Sequence, residues 1–366
     1  MKRRSIIKLQ QLGIIIITWS VFGFVISAYD YLVLHTQISL GPSEIYSFGE
    51  SVIRNVGAGF VGALLGGGFM VFYVNVKYAD KAYGYTILSV VSFFLFVITL
   101  VTIITGLILV PLQTHKKLSD PLTQQALIEF LTDEYTLKNV LARLIIVATT
   151  QLFLQINSKF GYGAFWNIIR GKYQVPVAER RIFMFLDLNQ STPIAERLGN
   201  ETYHALLKDF FYDISNPILD CKGSIYQYVG DEVVISWKMK EGFEEANCVR
   251  CFFQLGQFIE TQKEKYLSRY GIVPTFRAGV HCGDVVAGEV GLVKRDITYS
   301  GDVLNTTSRI QGMCKQFQVE LVVSQNVLQE VLSDDLIELR ELGAIKLRGK
   351  ENELLLFTIK GFKNIS

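Results

Sequence analysis

Four apolar stretches before residue 160 constrain this chain more than anything else in it. They run over Leu12–Leu34, Ser51–Val76, Tyr83–Leu112 and Leu137–Asn157. Each reaches the roughly 20 residues that a helix needs to cross about 30 Å of hydrocarbon, and the third is long enough to tilt. Only 19% of the residues are charged and 50% are hydrophobic, against the usual quarter charged. That imbalance sits almost wholly in these stretches. A chain of 366 residues has room for two or three domains, so a four-helix transmembrane domain over residues 1–157 leaves a separate second half.

The basic residues set an orientation. Lys2, Arg3, Arg4 and Lys8 precede the first span, Lys77 and Lys81 fill the second loop, and Lys159, Arg170, Lys172, Arg180 and Arg181 follow the fourth. The first loop has no basic residue between Leu34 and Arg54, and the third has Lys116 and Lys117 among several acids. Both termini are therefore expected on the cytoplasmic side of a multi-pass cell membrane, plasma or inner, with the lipid bilayer as a partner. The basic start and apolar run resemble a signal peptide, but no small-residue cleavage site follows, so the first span is expected to be retained. Gly62 and Gly66 form a G-x-x-x-G, expected to serve packing within the chain. Arg143, about one turn inside the fourth span, is expected to snorkel to the headgroups.

All five cysteines lie beyond the last span. Their odd number and cytoplasmic side argue for free thiols. Cys248 and Cys251 form a C-x-x-C, but "EEANCVRCFFQLGQF" reads as a helix with Cys251 on its apolar face, and no second pair stands at metal spacing. Residues 158–180 form a linker in which Trp166, Ile168 and Ile169 suggest a short amphipathic helix ended by Pro176.

From residue 181 to 366 the pattern is strand Ile182–Leu188, helix Pro193–Leu219, strands Ser224–Val229 and Glu232–Lys238, helix Phe243–Tyr270 and strand Pro274–His281. That β-α-β-β-α-β order predicts an α+β ferredoxin-like fold. Further strands near Thr298, Val319–Val323, Leu336–Leu347 and Glu353–Ile359, and helices near Val303–Phe317 and Gln325–Leu332, extend it. In this topology the first strand and the following hairpin are neighbours, so Asp187, ending "IFMFLDLNQST", meets Asp231 in "YQYVGDEVVISW". An N-cap explains Asp187 alone and a turn explains Asp231 alone. Both together fit a metal site better, because magnesium takes one or two carboxylates and completes its shell with water and phosphate oxygens. No nucleic-acid partner is expected.

With "YSGDVLNTTSRI" added, the second half resembles the class III nucleotidyl cyclases, the adenylate and guanylate cyclase catalytic domain. "FMFLDLNQST", "YQYVGDEVV", "FRAGVHCGDVVAGEVG", "RDITYSGDVLNTTSRIQ" and "IKLRGK" occur in the family's order. The resemblance implies a homodimer with sites at the subunit interface and two Mg²⁺ or Mn²⁺ ions per site. Asp187, the backbone carbonyl of Leu188 and Asp231 would hold the metals, and Asn305 and Arg309 would come from the other copy. It also implies that Thr192, Arg348 and Lys350 meet the triphosphate and that Gln227 and Thr298 meet the base. The reaction would join the ribose 3′-hydroxyl to the α-phosphorus and release pyrophosphate.

Two departures from the family stand out. Gln190 and Ser191 replace the Gly and Phe of its D-I-x-G-F-T phosphate loop, which bears on the loop's backbone. Gln227 stands where adenylate enzymes carry Lys and guanylate enzymes Glu. A Gln amide and a Thr hydroxyl both donate and accept, so they serve adenine or guanine. ATP is favoured over GTP because Thr298 matches many bacterial adenylate enzymes, whereas neither position matches the guanylate class.

Glu232 directly follows Asp231, so strand alternation is expected to turn it to the opposite face, outside the site. His281 in "GVHCG" is expected to be a packed, hydrogen-bonded imidazole. The alternatives are a guanylate cyclase, a diguanylate cyclase, suggested by the "VGDEVV" hairpin, and an inactive cyclase-like receptor or scaffold in the membrane.

Overall fold

The computed structural model describes residues 3–34, 47–78, 81–160, 170–293, 295–331, 337–348 and 352–362. The chain divides into two units, Ser5–Ile169 and Arg170–Ser366, the latter taking in Met1–Arg4. The expected amphipathic helix around Trp166, Ile168 and Ile169 lies outside the described residues.

The N-terminal unit is helical. α1 spans Arg3–Leu34, α2 Phe48–Lys77, α3 Tyr83–Thr114, α4 Pro121–Thr132 and α5 Glu134–Phe160. Among the described residues, 4 helical stretches are long and apolar enough to cross a membrane: Arg3–Val33, Phe48–Lys77, Tyr83–Thr114 and Pro121–Lys159. The sequence pattern does not anticipate α4. Asp120 caps it by accepting from the Leu122 N–H at 2.9 Å, and Pro121 follows at the first helical position, where a missing N–H costs nothing.

Trp19, Met70, Val74, Val90, Phe94 and Leu154 fill the bundle core. Glycines set the helix spacing. A Cβ on Gly59 would stand 2.6 Å from the Trp19 carbonyl oxygen, and one on Gly66 2.7 Å from the Phe94 ring. Gly66 of the G-x-x-x-G thus lets α2 meet α3 within the chain. Arg143 is half-buried and lines a groove together with Asn55 and Asn139.

The second unit is built on one mixed sheet. Its strands are β1 Val177–Leu188, β2 Ser224–Val229, β3 Glu232–Lys238, β4 Phe276–Val290, β5 Asp296–Ser300, β6 Leu321–Ser324, β7 Ile337–Ile345 and β8 Leu354–Phe362. They lie in the order β2-β3-β1-β4-β6-β8-β7, with β5 paired to β4. Helices α6 Ser191–Leu198 and α7 Asn200–Asp220 join β1 to β2, while α8 Asn247–Thr261 and α9 Lys263–Tyr270 stand between β3 and β4. α10 Asp302–Phe317 and α11 Gln325–Val331 complete the unit.

β1 is central, and its alternate residues feed two cores. Ile182, Met184 and Leu186 pack with Leu206, Phe210 and Ile214 of α7 and Val249, Phe252 and Leu255 of α8. Phe183 and Phe185 face the other way, under Val303 of α10. The five cysteines are free and buried, with Cys248 and Cys251 inside the first of these cores.

The element limits depart from the pattern in three places. The helix expected over Pro193–Leu219 breaks at Gly199, whose φ is 74°. The helix expected from Phe243 begins at Asn247 and divides at Gln262. The strand expected to stop at His281 runs on to Val290, because β5 folds back on its far half, pairing Val286 with Ser300.

Candidate active site

Asp187 closes β1 on the face it shares with Phe183 and Phe185, the face that α10 covers. β2 and β3 turn through Gly230 at φ 63°, a backbone that glycine takes without steric cost, and Asp231 sits at that tip. The β1–β3 register pairs Asp187 with Glu232. Directly opposed residues of an antiparallel pair share a face, so Glu232 points to the same side as Asp187, correcting the expected opposite placement.

Charge crowding at this strand end is visible in the proton affinities. Burial, then the charge of Asp231 and a hydrogen bond with it, push the Asp187 carboxyl up to about 6. The Arg277 charge and a 3.3 Å bond from Gln311 Nε2 to Asp187 Oδ2 pull it back down. Burial, followed by the charges of Asp187 and Asp231, pushes Glu232 up to about 7. Arg277 is the β4 register partner of Asp187, and Gln311 reaches it from α10. Sequence reasoning missed both, since neither motif nor spacing ties them to Asp187; register and helix packing do.

The donor set suits a hard cation. Among the described residues no group of three His, Cys, Asp or Glu side chains gathers at ligating distance, so a cation here would rest on the aspartate pair, with water, backbone and phosphate oxygens completing its shell. Leu188, whose carbonyl is the expected backbone ligand, follows Asp187 and pairs with Phe276.

The loop after β1 is tied down by Asn189, whose N–H donates to the Thr275 carbonyl at 2.8 Å. Gln190 takes φ 56° and ψ 34°, the left-handed conformation in which glycine is the easy choice. The turn therefore keeps a glycine-type backbone without a glycine. Ser191 opens α6 and hydrogen-bonds Tyr203; burial and the nearby Asp231 charge raise that phenol above its ordinary range. Thr192 is exposed at the same helix start.

α10 turns Val303, Thr306, Thr307, Ile310 and Cys314 to the protein. Its approach to β4 is close. A Cβ on Gly279 would lie 2.3 Å from the Gln311 backbone nitrogen, and one on Gly283 2.6 Å from Val303 Cγ2. Asn305 is exposed and Arg309 half-buried, four apart on the flank that the buried residues leave free. Asp187, Asp231 and Glu232 gather within one chain, whereas Asn305 and Arg309 point outward.

Gln227 is exposed on β2 and Thr298 is half-buried on β5. Their chain neighbours meet: the Tyr226 and Tyr299 rings lie 4.9 Å apart, and the Tyr299 N–H donates to the Tyr226 hydroxyl at 3.2 Å. Arg348 is exposed in a turn, and Lys350 lies outside the described residues. His281 is buried, its Nδ1 2.7 Å from Ser324 Oγ, in keeping with a packed imidazole.

Residues 177–361 match the family described as the adenylate and guanylate cyclase catalytic domain. The chain is 33% identical over 222 residues to adenylate cyclase 2 of Rhizobium meliloti, covering 60% of this chain and 61% of that protein. It is 24% identical over 191 residues to an adenylate cyclase of Anabaena cylindrica, covering 50% of this chain and 37% of the other. The chain thus spans less than two thirds of the length of either. A solved bacterial light-regulated adenylyl cyclase has a similar fold, with a TM-score of 0.53 at 17% identity over 64% of this chain and 68% of its own. By its matched half, the chain belongs to the adenylate and guanylate cyclase catalytic domain family.

Proposed function

We propose that the protein is a membrane-anchored adenylate cyclase that works as a homodimer on ATP. The observation that carries this reading is the meeting of Asp187 and Asp231 at one strand end while Asn305 and Arg309 of the same chain face outward. One copy offers carboxylates and also an amide and a guanidinium turned away from them, so two copies complete each other's sites. The strand order β2-β3-β1-β4 supports a ferredoxin-like core, and the relatives named adenylate cyclase support the reaction class.

A bound pair of Mg²⁺ or Mn²⁺ ions would acidify the ribose 3′-hydroxyl and neutralise the triphosphate. Asp187 and Asp231 hold that charge in place, their crowding being the free energy that a cation relieves. Arg309 of the second copy neutralises the charge that builds on the α-phosphate as the 3′-oxygen bonds to phosphorus and the bond to pyrophosphate breaks. Asn305 orients the ribose. Backbone N–H groups at the start of α6, with Thr192, receive phosphate oxygens, and Arg348 and Lys350 add positive charge. Gln227 and Thr298 hydrogen-bond the base, with ATP favoured over GTP. Four apolar helices in the N-terminal unit, with basic residues at both of its ends, support anchoring with both termini in the cytoplasm.

The test is a product assay on the purified full chain with Mg²⁺ or Mn²⁺, with ATP and GTP in parallel and products identified by mass. Cyclic AMP and pyrophosphate are expected. Asp231→Asn should cut turnover roughly 10³-fold, the worth of several kcal/mol of metal stabilisation. Cyclic GMP as main product would overturn the base assignment, a cyclic dinucleotide would favour the diguanylate alternative, and turnover unmoved by Asp231→Asn would favour the scaffold.

A further inference from the structure

Gln227 and Thr298 stand on strands that do not pair with each other. β2 is one edge of the sheet, and β5 pairs with β4 away from the main strand order. Among the described residues no ladder of backbone bonds sets the distance between these two side chains.

Two tyrosines join the strands instead. β2 shifts register between Ile225 and Gln227, so Tyr226 is the extra residue of a bulge, a device that re-aims a side chain. Tyr226 and Tyr299 both pack against the cluster of Phe183, Phe185 and Val303. There the two rings lie 4.9 Å apart, and the Tyr226 hydroxyl accepts the Tyr299 N–H at 3.2 Å. Each tyrosine is the chain neighbour of one of the two candidate base residues.

Tyr299 is also held from β1. The guanidinium carbon of Arg181 lies 4.9 Å from the centre of its ring, and Arg181 is buried, where such a contact is strongest. A charge taken out of water needs partners of its own. Arg181 Nε donates to Glu179 Oε2 at 2.7 Å, and Nη2 donates to the Tyr173 hydroxyl at 3.4 Å. Tyr173 in turn donates to Glu179 Oε1 at 3.3 Å. The guanidinium is thus fixed before it meets Tyr299. Arg181, Phe183, Phe185 and Asp187 alternate onto one face of β1, so the same strand face steadies Tyr299 at one end and carries the aspartate at the other.

We propose that Arg181 and Tyr226 are positioning residues for base recognition: Tyr226 ties β5 to β2, Arg181 steadies Tyr299, and together they set the gap between Gln227 and Thr298. This rests on the reading of the site as that of a nucleotide cyclase. An amide and a hydroxyl each donate and accept, so their identity does not choose between adenine and guanine. Their fixed spacing and direction do, because a hydrogen bond weakens steeply away from its preferred length and angle.

The full chain is assayed for turnover of ATP and of GTP, with inorganic tripolyphosphate, which has no base, as competitor. Tyr226→Phe removes one hydroxyl and keeps the ring. It should lower kcat/KM for ATP roughly tenfold, the worth of leaving a partly buried donor unmet, and narrow the preference for ATP over GTP, while the inhibition constant of tripolyphosphate holds. Arg181→Lys keeps a charge beside Glu179 but gives up the flat stack, and should shift ATP and the preference in the same direction. A preference unmoved in either variant, or tripolyphosphate affinity falling in step with ATP, would overturn the proposal and leave the cluster as packing alone. A wild-type chain that turns over neither nucleotide would count against the cyclase reading instead; binding of 3′-deoxyATP, which has no hydroxyl to cyclise, set against binding of tripolyphosphate then reads the same variants.

Discussion

Glu232 stands across from Asp187 in the register of β1 and β3 and beside Asp231 in the chain, so it adds a third carboxylate to the proposed cation site. Removing that charge weakens the pull on a divalent ion by about 1 kcal/mol, roughly fivefold in affinity. Glu232→Gln is thus expected to raise the Mg²⁺ concentration for half-maximal turnover roughly fivefold while maximal turnover holds, as a metal titration of activity would show. The two aspartates were legible as motifs, since each closes or opens an apolar run. The side on which Glu232 lies was not, because it depends on how the hairpin is registered against β1, and β2 carries a register shift between Ile225 and Gln227. Arg277 and Gln311 were hidden for the same reason. Each reaches Asp187 through pairing or packing between segments far apart in sequence.

At the scale of elements, α10 is held by two glycines of β4. Gly279→Ala would force its Cβ onto the Gln311 backbone, an overpacking that costs about 1–3 kcal/mol. A lower melting temperature is expected, with a fall in kcat/KM of roughly tenfold or more, since α10 carries Asn305 and Arg309 and small misplacements of reacting groups are costly. The turn after β1 gives an opposite case. Gln190 occupies a left-handed conformation that costs a side chain about 1–2 kcal/mol, against roughly 0.5–1 kcal/mol for the added chain freedom of glycine. Gln190→Gly should leave the melting temperature unchanged or slightly raised and retain activity. The loss of the family glycine was plain in the sequence; that Gln190 itself takes the left-handed backbone was not, because the turn is held from outside by the Asn189 N–H on the Thr275 carbonyl. β2 and β3 were legible to the residue, being short runs bounded by turn residues, whereas β4 overran its expected end because β5 supplied a partner.

For the whole molecule, a homodimer with shared sites makes a quantitative demand. A chain carrying Asp231→Ala and a chain carrying Arg309→Ala should each be inactive alone. Mixed, they should recover about a quarter of wild-type turnover, since half of random dimers are mixed and each has one intact site of two. Coexpression with two affinity tags would check it: the unfractionated mixture should show about a quarter of wild-type turnover and the doubly purified dimer, mixed in every molecule, about a half. The gathering of apolar residues into the first half was legible from composition alone. The widened turns of α2 over Ala63–Gly67 and Met70–Val74 were not, since no residue pattern announces them. β1 joins two ends of the catalytic unit: it begins at Val177, eight residues after the last residue outside the described structure, and ends at Leu188, next to the Asp187 carboxylate. Its 12 residues form a strut of roughly 40 Å, pinned along its length by an unbroken register with β4. A displacement at its near tip has no bulge or break along β4 to absorb it before the far tip, so the placement of the Asp187 carboxylate is tied to the start of the strand.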